Sequence, residues 1–313
     1  MRGDSIMPSF FSDKGQWFRG NLHSHTTRSD GTCPPQQQID DYRAQGYDFL
    51  AITDHNIMDS HKLPTGNGFC LLPGWERDIT YSPTKCLHLV GISSKSAERQ
   101  PVKEALPGIP GENSEQQLVD DMLAEGEFVI LAHPIWSRME PWEVMSLKGY
   151  HAIEIYNTGC ERLCHAGHAE VYWDMLLRSG RRVYGIACDD THGKTRKSDR
   201  FGGWVMVKAN FCSHDEIMRA LYSGNFYSSM GPEIYDWGID DDTVYIECSP
   251  CEEVHFITYP PRGMAYYKED RPLTKVTYRL KGWENYIRAE CIDEKGKVAW
   301  TNAIFLEDYF RKS

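Results

Sequence analysis

The chain has no apolar run approaching the ~20 residues that a membrane-spanning helix needs. No membrane association is therefore expected. Its start, Met1-Arg-Gly-Asp-Ser-Ile-Met-Pro8, lacks the apolar stretch and small-residue cleavage site of a secretory signal, so a cytoplasmic location is expected. There is no internal repeat and no low-complexity segment, which excludes a repeat array. Basic residues are in deficit: 34 Lys and Arg against 45 Asp and Glu give a formal net charge of −11. That excludes extended nucleic-acid binding, which needs a cationic surface. It leaves room for a small anionic substrate, because bound metals can supply local positive charge. The ten cysteines, at positions 33, 70, 86, 160, 164, 188, 212, 248, 251 and 291, are scattered. In a chain of this length they indicate reduced thiols rather than a disulfide framework.

What is present is an alternation. From about residue 17 to 225, strand-like and helix-like segments take turns, as in an α/β domain with parallel strands. Pro34-Pro35 opens a helix to about Gln45, Ala166–Ser179 is amphipathic and ends at Gly180, and Gly126 and Gly224 close two others. Ser114-Glu-Gln-Gln117 and Ser213-His-Asp-Glu216 resemble capping boxes. After Tyr227 the texture changes to short β-like runs: Thr243–Cys248, Val254–Tyr259, Lys275–Leu280, Tyr286–Ile292 and Ala299–Leu306. Their spacing predicts an antiparallel β-sandwich over 228–313, following an α/β domain over 1–227.

Five apolar runs each lead to residues that bind metals. Trp17–Leu22 precedes His23 and His25; Phe49–Thr53 precedes Asp54 and His55; Cys70–Gly74 precedes Glu76. Phe128–Ala132 precedes His133, and Val183–Cys188 precedes Asp189, Asp190 and His192. Side chains at one end of successive parallel strands converge on one rim of a barrel. Several imidazoles and carboxylates together there are stabilised by cations, and this donor mixture suits Zn, Mn or Fe better than Ca or Mg.

These segments resemble, in order, those of the PHP (polymerase and histidinol phosphatase) superfamily. The matching stretches are Asn21-Leu-His-Ser-His25 with Ser29-Asp-Gly31, Ile52-Thr-Asp-His-Asn56, Pro73-Gly-Trp-Glu76 and Leu87-His88-Leu-Val-Gly91. Leu131-Ala-His133-Pro134, Ile153-Glu154-Ile-Tyr-Asn157 and Asp190-Thr-His192 complete the set. The resemblance implies a distorted (β/α)7 barrel and a metal-dependent phosphoesterase. It also implies two or three divalent ions, with a bridging hydroxide that attacks a small phosphate ester. His23, His25, Glu76 and Asp190 would hold the first ion, with Glu76 bridging to a second held by His88 and His133. Asp30, His55 and His192 would hold a third. Asp54 and Glu154 would orient ligands or the attacking water. Among nearby basic residues, Arg28 and Arg196 are the favoured clamps for phosphate oxygens.

Other readings stand beside this one. Arg288-Ala-Glu-Cys-Ile-Asp-Glu-Lys-Gly-Lys-Val-Ala-Trp-Thr-Asn302 resembles the C-terminal region of a PHP branch that includes carbamate hydrolases, so a carbamate, ester or amide bond is an alternative target. A non-catalytic, metal-binding accessory role is the other. Cys160, Cys164, His165 and His168 match no common structural zinc spacing. Cys248-Ser-Pro-Cys251 is a lone pair in the β-rich region and reads as core packing.

Overall fold

The structure is a computed structural model that describes residues 9–12, 14–58, 63, 65–66, 68–82, 85–95, 114–194, 198–259 and 263–310. The first two thirds alternate. In order come β1 (Gln16–Asn21), α1 (Pro35–Ala44), β2 (Phe49–Ile52), β3 (Cys70–Ser82), β4 (Lys85–Ser93), α2 (Ser114–Ala124) and β5 (Glu127–Leu131). Then follow α3 (Pro141–Ser146), β6 (Ala152–Asn157), α4 (Thr158–Cys164), α5 (Glu170–Arg178), β7 (Tyr184–Cys188), β8 (Trp204–Ala209) and α6 (His214–Ser223). The rest is strand-rich: β9 (Phe226–Ser229), β10 (Ile234–Asp240), β11 (Thr243–Cys251), β12 (Glu253–Thr258), β13 (Gly263–Tyr267) and β14 (Leu273–Arg279). β15 (Tyr286–Ile292), β16 (Val298–Thr301), β17 (Ile304–Phe305) and α7 (Leu306–Phe310) end it.

Burial patterns explain where these strands sit. β2, β5 and β6 are buried at every position, the mark of strands covered on both faces. β8 and β12 alternate instead, as strands with a single buried face do. The large sheet runs β13-β12-β15-β16-β9-β8-β1-β2-β3-β4-β5-β6-β7, with β17 beside β15; β10, β11 and β14 form a second sheet. From β1 to β7 the neighbours are parallel, except that β4 is antiparallel to both β3 and β5. Beyond the ends of β1 and β7 the chain is stitched to itself. The Asp190 amide donates to the His23 carbonyl at 2.9 Å, and the His25 amide donates to the Thr191 carbonyl at 3.0 Å. The result is a mixed α/β protein with a large mixed sheet, mainly parallel from β1 to β7, and a smaller antiparallel one.

Several local expectations shift. β3 does not stop at Gly74; its antiparallel ladder with β4 carries it through Glu76 to Ser82. The helix expected from Ala166 starts at Glu170, because Asn157 donates to Gly167 and Ala169 to Ile155, holding the preceding residues extended beside β6. Ser213 makes no side-chain cap, and the Glu216 carboxylate accepts from Asn210 instead. The Ser114 side chain lies outside the described residues. β10 and β13 were not among the expected runs, and the last run divides into β16, β17 and α7. β9 spans the position of the expected join after Tyr227 and pairs with both β8 and β16. Among the described residues, no helix is long and apolar enough to cross a membrane.

Trp237, Val244, Ile246, Phe256, Ile287 and Ala289 form the core between the small sheet and the C-terminal part of the large one. A buried ion pair ties this layer to the α/β part. Arg288, 1% exposed, donates to both carboxylate oxygens of Asp174 at 3.0 Å and to Glu290 at 2.5 Å. Burial disfavours its charge, but Glu290 and Asp174 outweigh burial and hold its pKa above the ordinary value. Removing Arg288 leaves two partly buried carboxylates without their counter-charge. Arg288→Met should cost about 3–5 kcal/mol in urea unfolding. Arg288→Lys should recover only part, because an ammonium cannot replace the two-pronged contact. A loss under about 1 kcal/mol, the range of exposed pairs, would show that the tie does not hold the layers.

Candidate metal centre

The donor atoms converge because the loops after the strands are pinned from beneath by buried carboxylates. Asp54 accepts from the Thr26 amide and hydroxyl, both at 2.7 Å, and from the Ser29 hydroxyl at 2.6 Å, fixing the turn between His25 and Asp30. Asp199 accepts from the Thr191 hydroxyl and the amides of His192 and Gly193 at 2.8–2.9 Å. Asp189 accepts from Tyr42 at 2.7 Å and from the Phe201, Gly202 and Gly203 amides at 2.8–3.1 Å. Gly159 lets α4 press close to this floor; a Cβ there would sit 2.6 Å from the Asp190 carbonyl.

On this base, His23 Nε2, His25 Nε2, Glu76 Oε2 and Asp190 Oδ1 form a compact group. Five of the six separations among them are 3.1–3.3 Å, and all four atoms lie within 4.8 Å of one another. A regular tetrahedron with those edges has its centre about 2.0 Å from each corner, the length of a zinc–nitrogen or zinc–oxygen bond. The other oxygen of Glu76 faces His88 Nδ1 at 2.8 Å and His133 Nε2 at 3.1 Å. A looser set surrounds Asp30 Oδ1, with His192 at 3.4 Å, His25 Nδ1 at 3.7 Å and His55 at 3.9 Å. All nine residues expected as ligands thus meet in one place. Asp190 Oδ1 and His55 Nδ1 are buried without a hydrogen-bond partner, as atoms reserved for a cation would be.

The charges are strongly coupled. Burial alone would lower the His23 pKa, but Asp190, Glu76 and Glu154 overcome it and raise the pKa well above the usual value. His25 is raised to about 9, the Asp190 and Glu76 carboxylates prevailing over burial. The surrounding imidazoles likewise prevail over burial at Glu76 and Asp190 and hold both carboxyls well below the usual range. His55 is shifted the other way, downward, mainly by burial.

Glu154 stands behind this group. Its Oε1 lies 2.6 Å from His23 Nδ1, and its Oε2 accepts from the His133 amide and Asn157 Nδ2, both at 2.9 Å. With Nδ1 committed to Glu154, the His23 Nε2 lone pair points into the group. Ser137, beside His133 Nδ1 at 3.1 Å, does the same for His133.

A cleft of about 260 Å³ opens above the donors, walled by Trp136, Cys160, Leu163 and Lys194. Arg28 is exposed and is not among the residues lining the cleft. Arg196 lies outside the described residues. Lys194, which donates to Asp30 Oδ2 at 2.9 Å, is the one lysine or arginine that lines the cleft among the described residues. Lys194 is one of the basic residues near the motifs that the sequence offered as clamps, though not a favoured one; Asp199 and Ser137 adjoin the donors and were not singled out by spacing.

No protein-family model matches the chain, and no curated protein matches it. Among solved structures, it is similar to a two-domain protein from Bacteroides vulgatus containing a predicted PHP-like metal-dependent phosphoesterase. That likeness has a TM-score of 0.48 and 15% identity, covering 96% of this chain and 98% of that one. It is also similar to a protein from Bifidobacterium adolescentis described as a metal-dependent phosphoesterase, at TM-score 0.42 and 14% identity, covering 73% and 99%. A third likeness is to an amidohydrolase from Chromobacterium violaceum, at TM-score 0.39 and 15% identity, covering 55% and 87%.

Glu154→Gln keeps the shape of the side chain and removes the charge that holds His23. The fold should survive, while affinity for Zn(II), read by competition with a chromophoric chelator, should fall by about 10–100-fold. Unchanged affinity would show that His23 is positioned by something else.

Proposed function

We propose that the protein is a metal-dependent hydrolase of small phosphate esters, built on a distorted seven-stranded barrel with a C-terminal β-sandwich. The observation that carries this reading is the tetrahedral spacing of His23, His25, Glu76 and Asp190, with one unpartnered buried oxygen among them. The order β1 to β7 and the backbone links between the ends of β1 and β7 support the barrel, with residues 1–227 as its unit and 228–313 as the sandwich.

His23, His25, Glu76 and Asp190 would hold one divalent ion. Glu76 would share its carboxylate with a second, held also by His88 and His133. Asp30, His55 and His192 would hold a third. The donor mixture suits Zn, Mn or Fe. Bound there, such ions lower the pKa of water and offset charge developing on the substrate. The remaining work falls to the chain. Glu154 fixes His23, Ser137 fixes His133, and Asp54 fixes the turn that carries His25 and Asp30. Lys194 reaches the same cleft and would bind a non-bridging oxygen of the substrate, its ammonium held in place by Asp30. Trp136 and Leu163 form an apolar wall against the leaving group and keep water from that side.

The same wall favours a second reading. With Arg28 outside the cleft lining and Lys194 already paired to Asp30, an uncharged aryl carbamate would also fit.

Protein loaded with Zn, Mn or Fe and offered p-nitrophenyl phosphate, bis-p-nitrophenyl phosphate and a naphthyl carbamate should hydrolyse a phosphate ester. Turnover of the carbamate alone would transfer the assignment to the second reading. Metal analysis should find two or three ions per chain, and a metal-free protein with no turnover would remove both. Glu76→Gln disturbs two ion sites and should lower kcat/KM by more than about 10³-fold. Lys194→Ala removes one charge-assisted contact of about 1.5–3 kcal/mol and should lower it by about 10–100-fold. Equal losses would count against a shared Glu76.

A further inference from the structure

Three cysteine sulfurs meet inside the β-sandwich, on strands that supply nothing to the cleft. Cys248 and Cys251 belong to β11 in the small sheet, and Cys291 belongs to β15 in the large one. All three are enclosed and none is in a disulfide, and their sulfurs lie within 4.8 Å of one another.

Chain geometry makes this convergence unusual. In a regular strand, positions 248 and 251 would face opposite ways, because side chains alternate and the separation is odd. The pairing of β11 with β14 breaks register between Glu247 and Cys251. Pro250, which has no N–H to give the ladder, sits inside that break. The irregularity turns both thiols inward onto Cys291. Core packing alone does not call for it, since a small apolar residue at one position would fill the space without a bulge.

We propose that Cys248, Cys251 and Cys291 bind a single thiophilic d10 cation, Cu(I) or Zn(II), that clamps the two sheets together. Soft thiolate sulfur selects such ions, and no imidazole or carboxylate joins the group among the described residues. Thiols give up protons to solvent only as far as the cation's charge offsets them, one for Cu(I) and two for Zn(II), because uncompensated charge is costly in that place. A cation between sheets would strengthen a layer otherwise joined by apolar contact.

The test uses full-length protein purified under reducing conditions, with Cu(I) supplied as its bicinchoninate complex in one arm and Zn(II) in the other. Wild type should take up one more ion per chain than Cys248→Ser/Cys251→Ser or Cys291→Ser, so that ions of the cleft cancel in the comparison. The arm that shows the difference identifies the cation, and in that arm the Tm should rise more for the wild type than for the serine variants. Equal uptake by all three proteins would overturn the proposal. So would an intact mass lighter by two hydrogens with no extra ion, which would mark a disulfide instead. Should the serine variants fail to fold, alkylation of the wild type decides: the cation should slow modification of these three cysteines, and no protection would overturn the site.

Discussion

The arrangement depends on burying the carboxylate of Glu76. It is 1% exposed, and its two oxygens are approached at 2.8–3.3 Å by His23, His25, His55, His88 and His133. Taking a carboxylate out of water costs several kcal/mol unless opposite charge and hydrogen bonds replace the solvent. Here the replacement comes from five imidazoles carried by four segments of chain, so none of those segments can move independently of the others. Without an ion, the same groups balance by proton sharing: His23, His25 and His88 are drawn toward the charged form, while Glu76, Asp190 and Glu154 are held ionised. A bound cation would take over that role and free the imidazole lone pairs. The buried carboxylates therefore meet positive charge whether protons or a cation supply it.

Behind the donors lies a second ring of acids whose task is mechanical. Asp54, Asp189 and Asp199 accept chiefly from backbone amides and hydroxyls of the loops after β1, β7 and the turn beyond it. Non-glycine residues at positive φ, His133 at 24° after β5 and Asp190 at 52° after β7, occur where the chain bends its donors inward. Such backbone is tolerated only where the surroundings over-determine it. At Asp190 the acid ring and the stitched ends of β1 and β7 do so, and at His133 the Glu154 carboxylate, which accepts from its amide at 2.9 Å, does the same.

Much of this was legible in the chain. Apolar runs buried on both faces announce parallel strands, and a donor at the end of each announces a rim, so His23, His25, His55, His133 and His192 could be placed together from order alone. His88 was harder, because it sits inside the antiparallel strand β4, where no boundary signal marks it; Glu76 was read at the end of the run Cys70–Gly74, although β3 continues past it. Asp199 and Ser137 were invisible for a different reason: an acid or hydroxyl that holds a loop is recognised by its partner, and the partner is distant or unremarkable in sequence. Arg28 looked useful by proximity along the chain, yet the turn fixed by Asp54 leaves it exposed. Cys291 gave no hint of belonging with Cys248 and Cys251, since only the pairing of β11, β12 and β15 sets it opposite them.

The C-terminal layer has a structural consequence for the site. β7 ends the path of the large sheet and would present open backbone groups, a liability for any exposed strand. Ser228 covers part of that edge, donating to the Gly185 carbonyl at 2.8 Å while accepting from the Ala187 amide at 3.0 Å. Asn302 accepts from the Gly185 amide at 3.2 Å. Trp300 stacks on Tyr156 with ring centres 6.2 Å apart, and Tyr156 stands between Glu154 and Asn157 of β6 (two and one residues away). Asn157 in turn donates to Glu154 at 2.9 Å and to Asp190 at 3.1 Å. Side chains of β9, β16 and the segment after it thus close the edge of β7 and back the strand that positions His23. Loosening that layer would be felt at the donors through Asn157 and Glu154, without any residue of the cleft being changed.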